Sequence, residues 1–248
     1  SYEDLRAEGY LTEAILNYVA LLGWSPRGEQ AEQEFFTLAQ LADAFDIAGI
    51  SKSPAIFDRA KLDYFNAVYL RALSPEAFAK AAEPWIRRGL SSRTAEQTAG
   101  DSSSVSPAEN PAVETAVRNG EIAALLQARC EKLSDIPEKV DFFAALPDYG
   151  VESFTNKKSK TNPEISTRMM QAAIPALEAL ENWEFATIHD ALMDLAKTLE
   201  VKNATLLWPV RIAASGRLVT PGGAVELCRI LGREETLRRL RDGLERLS

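Results

Sequence analysis

Three lysines crowd into "FTNKKSKTNPEI", residues 154–165, as Lys157, Lys158 and Lys160, just ahead of Pro163 at the start of a helical pattern. Ammonium groups beside the exposed amides of a helix start suit a phosphate backbone. A solvated charged loop would have the same composition, so the stretch alone leaves both readings open. A second group lies in "LLWPVRIAASGRLVTPGGAVELCRIL", residues 206–231, where Arg211 and Arg217 flank a Ser-Gly turn and Thr220-Pro221-Gly222-Gly223 opens a helix. An unstacked nucleobase needs a planar cation or an aromatic ring to stack on, and fixed donors for its Watson–Crick edge. Arginine side chains, a threonine hydroxyl and helix-start amides provide those parts. Arg238, Arg239 and Arg241 alternate with Leu237, Leu240 and Leu244, and read as the solvent face of an amphipathic helix.

Catalytic groupings are not evident. No paired carboxylates, nucleophile with a base, glycine-rich phosphate loop or metal-ligand spacing stands out. The single histidine, His189, sits in a helical stretch and reads as structural. Cys130 and Cys228 are far apart and read as small buried groups in a reducing, cytoplasmic setting. The chain has 248 residues, 46% hydrophobic and 26% charged, as a globular protein does, and no apolar run approaches the ~20 residues of a membrane span. Its start lacks both a secretory signal and an initiator methionine, as a fragment of a longer protein would. The net charge of −8 argues against indiscriminate nucleic-acid binding. Residues 201–248 nevertheless hold nine Lys+Arg against five Asp+Glu, or +4, leaving −12 for the other 200. This asymmetry points to an anionic partner at the C-terminal end.

The elements that must position these groups are helices. Thr12 is the expected N-cap of "TEAILNYVALLGW", with Ile15, Val19 and Leu22 on its buried face. "AEQEFFTLAQLADAFDIAGI" shows the same spacing at Phe35, Leu38, Ala42 and Phe45, and ends at Gly49. Ser53 then caps a helix beginning at Pro54, with Leu62, Phe65 and Tyr69 as its apolar stripe, and Ser74-Pro75 begins another. Residues 91–111 are rich in Ser, Thr, Ala, Glu and Pro and predict a flexible linker or long loop. Seven further helical stretches follow, at about 112–133, 135–146, 163–180, 184–200, 203–214, 222–231 and 233–247. Only "YGVESFT" (149–155) alternates like a strand. The expected fold is all-α and multi-domain: residues 1–90, the 91–111 linker, and 112–248 as two helical subdomains split near 150–180.

Three blocks, "GYLTEAILNYVALLGWSP" (9–26), "FDIAGISKSPAIFDRAKLDYFNAVYLR" (45–71) and "LLWPVRIAASGRLVTPGGAVELCRILGREETLRRL" (206–240), resemble the C-terminal half of bacterial-type glutamyl-tRNA synthetase, in the family's order. The resemblance covers nearly the whole chain and is weakest at 91–111. It implies a stem-contact helical domain followed by an all-helical anticodon-binding region. It also implies that the chain begins just after the family's KMSKS-like lysine loop, so that both nucleotide motifs lie outside it. "ISKS" (50–53) looks like such a loop but falls in the stem-contact region and between helix signals, and reads as a turn. By the same resemblance Arg211, Thr220 and Pro221 match residues that contact anticodon bases, with Gly222 in the same turn. Arg129 is the best match to an arginine tied to the third anticodon base. Gly223 stands where some relatives carry a bulky residue.

The function that the resemblance implies is that of the tRNA-binding half of a glutamate–tRNA ligase. Its partners would be tRNA(Glu), with tRNA(Gln) as a second candidate, and an N-terminal catalytic domain of the same polypeptide. No cofactor is expected in this chain, ATP and magnesium belonging to the full-length enzyme, and the chain alone is expected to be inactive. The rival readings are a helical protein–protein scaffold without RNA specificity and a free-standing catalyst.

Overall fold

Helices begin where a short polar side chain can take up free amides, and α1 (Tyr2–Ala7) shows it at once, with Ser1 and Asp4 forming a reciprocal cap. The structure is a computed structural model that describes residues 1–97 and 110–248. Twelve more helices follow: α2 (Thr12–Gly23), α3 (Leu38–Ala44), α4 (Arg59–Ala72), α5 (Pro75–Gln97), α6 (Pro111–Arg118), α7 (Glu121–Leu126), α8 (Ile136–Ala144), α9 (Pro163–Glu178), α10 (Phe185–Thr198), α11 (Asn203–Ser215), α12 (Ala224–Leu231) and α13 (Arg233–Arg246). Among the described residues there is no sheet, only the isolated bridges Trp24–Ile50 and Asn156–Thr161. No described helix is long and apolar enough to cross a membrane. The fold is all-α.

The described residues form two compact units. One comprises residues 1–85 and 126–136, the other 86–125 and 137–248. The greater part of the 91–111 stretch lies outside the described residues, and α5 continues through residues 91–97 of it.

The first unit packs α2 against α4 around Tyr10, Ile15, Tyr18, Leu62 and Phe65. Leu62 and Phe65 are buried as the spacing predicts, while Tyr69 reaches through its hydroxyl to the Asn17 side chain and the Phe36 carbonyl, at 2.5 and 2.6 Å. Several local expectations shift. The Thr12 hydroxyl bonds Tyr2 at 2.8 Å instead of capping α2, whose N-cap is Leu11, and Val19 is exposed while Tyr18 is buried. The predicted helix over 31–50 shrinks to α3, because Thr37 and Gln40 form a capping box six residues late. Phe36 ahead of it is buried, and Leu38 and Phe45 face solvent. The next helix begins not at Pro54 but at Arg59. Asp58 accepts from the Lys61 amide at 3.2 Å, and its own amide donates to the Tyr18 hydroxyl at 2.7 Å, so a carboxylate fixed to the core outcompetes the Ser53 hydroxyl. "ISKS" is an exposed connection, and Gly49 before it is demanded by contact: a Cβ there would lie 2.5 Å from Trp24 Nε1.

In the second unit α9 to α13 surround a core that includes Met170, Leu177, Leu192, Leu206, Val210, Ile212, Cys228 and Leu240. Both cysteines are buried thiols, and burial pushes Cys228 up to about 12, so it behaves as an apolar group. The strand-like 149–155 stretch instead turns as a short 3-10 helix, Val151–Phe154, with Phe154 as its core anchor.

Arg239 overturns the expected solvent face of α13. Its side chain is fully buried and its guanidinium donates to the carbonyls of Phe142 (2.7 Å), Ala214 (2.8 Å) and Phe143 (3.3 Å), and to Glu235 Oε1 (2.6 Å). Those carbonyls lie in the last turns of α8 and α11, where four carbonyls per helix lack intrahelical partners and the dipole favours a cation. One side chain therefore ties three helix segments together. Arg238 and Arg241 do stay at the surface, in ion pairs with Glu235 and Asp242 and with Glu178.

Candidate nucleic-acid interface

The centre of the site is α11. Thr205, Trp208 and Arg211 recur every three residues and so lie along one side of it, over about 9 Å of axis. Each fastens a different piece of chain. The Thr205 hydroxyl donates to the Ser159 carbonyl at 2.8 Å, and Trp208 Nε1 donates to the Ser153 carbonyl at 3.0 Å. Arg211 Nη1 donates to Thr220 Oγ1 at 2.7 Å and Nη2 to the Leu218 carbonyl at 2.9 Å. The Arg211 guanidinium carbon stands 4.7 Å from the Trp208 ring centroid, a cation–π contact. Half-burial pushes the guanidinium below its ordinary value, and an arginine stays charged at neutral pH. Two of its five N–H donors are committed, so donors remain for a ligand.

The loop after α11 is rigid for local reasons. Gly216 closes the helix at φ +63, a conformation that a side chain would strain, and a Cβ there would also meet Pro147 and Tyr149 at 2.9 Å. Arg217 is turned inward: Nη2 donates to both Asp141 oxygens at 2.7 Å, and its Nε is buried without a partner. Leu218 and Val219 then project to solvent. The Thr220 hydroxyl accepts from Arg211 and gives its own proton to the Gly222 carbonyl at 2.7 Å. Thr220 therefore orients the arginine and the turn, and has no proton left for a base. Pro221 is buried and Gly222 half-buried, a Cβ on the latter reaching Leu125 at 3.1 Å.

The lysines lie on the turn clamped by the Thr205–Ser159 bond. Asn156 and Thr161 exchange backbone hydrogen bonds of 3.1 and 3.0 Å, and Asn156 Oδ1 accepts from the Ser159 amide at 2.9 Å. Lys160 sits at φ +54, and Lys157, Lys158 and Lys160 are all exposed with no ion pair to the described residues. Asn162 caps α9 directly behind them. The lysine turn and Arg211 are thus carried by one helix. Arg129 is exposed at the end of a 3-10 turn and belongs to the first unit.

The charge asymmetry carries less than its sum suggests. Arg217, Arg229, Arg238, Arg239, Arg241 and Arg246 each pair with a carboxylate. Arg233 donates to the carbonyls of Leu180 and Glu178. What distinguishes this surface is the local grouping of Arg211 with three unpaired lysines, which a net charge does not reveal. His189 is half-exposed, stacked on Phe185 and bonded to Asp190 at 3.0 Å. No cluster of three or more His, Cys, Asp or Glu among the described residues could hold a metal ion.

Residues 77–244 match the anticodon binding domain family. Residues 1–64 match the family described as the catalytic domain of class I tRNA synthetases (E and Q). The glutamate–tRNA ligase of Clostridium tetani is 44% identical over 247 residues, which is 100% of this chain and 45% of that protein. A Clostridium botulinum glutamate–tRNA ligase is 43% identical, over 100% of this chain and 46% of the relative. The crystal structure of a glutamate–tRNA ligase from Elizabethkingia meningosepticum, in complex with its amino acid, superposes with a TM-score of 0.74 at 27% identity, covering 98% of this chain and 43% of that one. The chain spans less than half the length of the curated relatives it matches.

Proposed function

Because this chain belongs to the anticodon-binding-domain family of the glutamate–tRNA ligases, we propose that it binds tRNA(Glu) in the cytoplasm through the α11 surface and reads unpaired anticodon bases there. Arg211 is the base-facing group. Its guanidinium, backed by Trp208 and held by Thr220 and Leu218, offers a pre-oriented plane on which a splayed base stacks and donors for the base's edge. That fixed, half-buried arginine, held against an aromatic ring with donors left over, is the observation that carries the reading. Lys157, Lys158 and Lys160 take phosphates of the same loop. Arg217, Pro221 and Gly222 act from behind by shaping the turn, and Arg129, on the first unit, meets the RNA separately. Such base contacts are worth about 1–3 kcal/mol each.

The chemistry served is glutamylation of the tRNA with ATP and magnesium by the catalytic domain of the longer ligase. Anticodon binding would raise its rate by holding the acceptor end in register. Fluorescence titration with tRNA(Glu) and with an anticodon-substituted transcript tests the reading. The wild-type chain should bind tRNA(Glu) at least tenfold more tightly. Equal, weak binding of both at physiological salt would favour a protein–protein scaffold, which the extensive neutralisation of the other arginines would suit.

A further inference from the structure

The chain between Gly216 and Thr220 inverts the usual order of polar and apolar side chains. Arg217, the charged residue, points inward onto Asp141, with Nη2 donating to both carboxylate oxygens at 2.7 Å. Leu218 and Val219, the apolar ones, are 59% and 83% exposed. Across residues 186–248 no other large hydrophobic side chain is exposed. A single exposed aliphatic needs no explanation, but an adjacent pair held rigid in water does. Gly216 fixes the start of the loop at φ +63, and the Ser215 hydroxyl accepts from the Arg217 amide at 3.1 Å. The Thr220 hydroxyl donates to the Gly222 carbonyl at 2.7 Å. Arg211 Nη2 donates at 2.9 Å to the carbonyl of Leu218 itself. The guanidinium therefore holds the apolar pair beside itself, and Val219, branched at Cβ, adds a stiff surface.

Whatever covers this pair must be small and must lie at Arg211. A stable protein contact buries about 800 Å² on each partner, far more than two loop side chains provide. One face of an unstacked base matches them in size, and flipped bases are held against aromatic or apolar side chains. We infer that Leu218 and Val219 are a further contact site for the RNA, an apolar shelf that takes the face of one unpaired base in the loop held by Arg211. The contact removes apolar surface from water, so it adds affinity alike for any base and reads no edge. The inference rests on the tRNA reading above and adds one contact to it.

The test titrates the 248-residue chain with anticodon stem–loop RNAs, using wild type and the double variant Leu218→Asn, Val219→Thr. Both substitutions exchange apolar for polar surface at exposed positions and leave the backbone carbonyl that Arg211 uses, so the melting temperature should match wild type. The variant should bind the unsubstituted loop about fivefold more weakly, with an unchanged slope of log affinity against log salt. Exchanging any loop base for another should leave that deficit in place, while an abasic site at one position should reduce it to within about twofold. Equal affinity of variant and wild type, or a deficit that persists at every abasic position, would overturn the shelf and leave the tRNA reading intact. A wild-type self-association in sedimentation that the variant lacks would also overturn it, making the pair a contact between copies of the chain. Failure of wild type to prefer the stem–loop over an unrelated hairpin would overturn both.

Discussion

Arg211 acts at the scale of one side chain, and the outcome of changing it follows from its contacts. It stacks on Trp208 and donates to Thr220 and Leu218, so Arg211→Ala removes internal bonds as well as a ligand group. Two net hydrogen bonds are worth about 1–3 kcal/mol together, so thermal unfolding should show a modest loss. RNA affinity should fall at least tenfold. Arg211→Lys separates charge from geometry, because lysine lacks the planar fork. Titration should show most of the affinity lost despite the retained charge, and full retention would mean that only charge matters. Thr220→Val tests orientation. It removes the acceptor that fixes Nη1 and the donor to Gly222, and should weaken RNA binding several-fold while Arg211 remains present. Sequence alone suggests Thr220 as a base donor. Only the geometry shows that its one proton is given to the Gly222 carbonyl.

At the scale of elements, α11 matters because it carries two loops, and α13 because it fixes α11. The lysine turn hangs from Thr205, and its three side chains are unpaired. Replacing Lys157, Lys158 and Lys160 by alanine should flatten the dependence of log affinity on log salt by about 0.7 for each phosphate that a lysine had neutralised. An unaltered slope in titrations from low to high salt would remove these lysines from the interface. Arg239 holds the ends of α8 and α11, and taking one partner from a buried charge network costs about 3–5 kcal/mol, so Arg239→Ala should melt far below wild type. Its neighbour makes that end acid-sensitive. Burial pushes the Glu235 carboxyl up, but the Arg238 hydrogen bonds and the Arg239 charge outweigh it and hold the group below its ordinary value. The stability this adds is complete above the unfolded carboxylate value of about 4.3 and is lost as pH falls through the lower folded one. Between pH 6 and 3, melting of the wild type should therefore drop more than that of Glu235→Gln.

These elements also show what a sequence makes legible. From α9 onward the helices are readable nearly to their ends, because Asn162-Pro163 and Ser215-Gly216 signal starts and stops through local bonds. The single helix expected at 112–133 is instead split at Asn119-Gly120 into α6 and α7, Gly120 turning at φ +72. The start of α4 and the extent of α3 are not legible either. Ser53, Asp58 and Thr37 are all competent caps, and the choice among them is made by Tyr18 and Phe36 packing from elsewhere in the chain. Arg239 misleads for a related reason. Its buried acceptors are the carbonyls of Phe142, Phe143 and Ala214, and no side-chain pattern announces a carbonyl at a helix end. Arg211 and the lysine turn can be named from the sequence, but their joint attachment to α11 cannot.

For the whole molecule, the chain spans less than half the length of its relatives, and the proposed binding surface would serve the longer ligase. The chain alone should show no ATP–pyrophosphate exchange with glutamate, and measurable exchange would overturn the division of labour proposed here. The most direct measurement is hydroxyl-radical or nuclease footprinting of tRNA(Glu) with the 248-residue chain. The account predicts protection centred on the anticodon loop and weakened in Arg211→Lys. Protection absent from that loop, or identical in the variant, would contradict it.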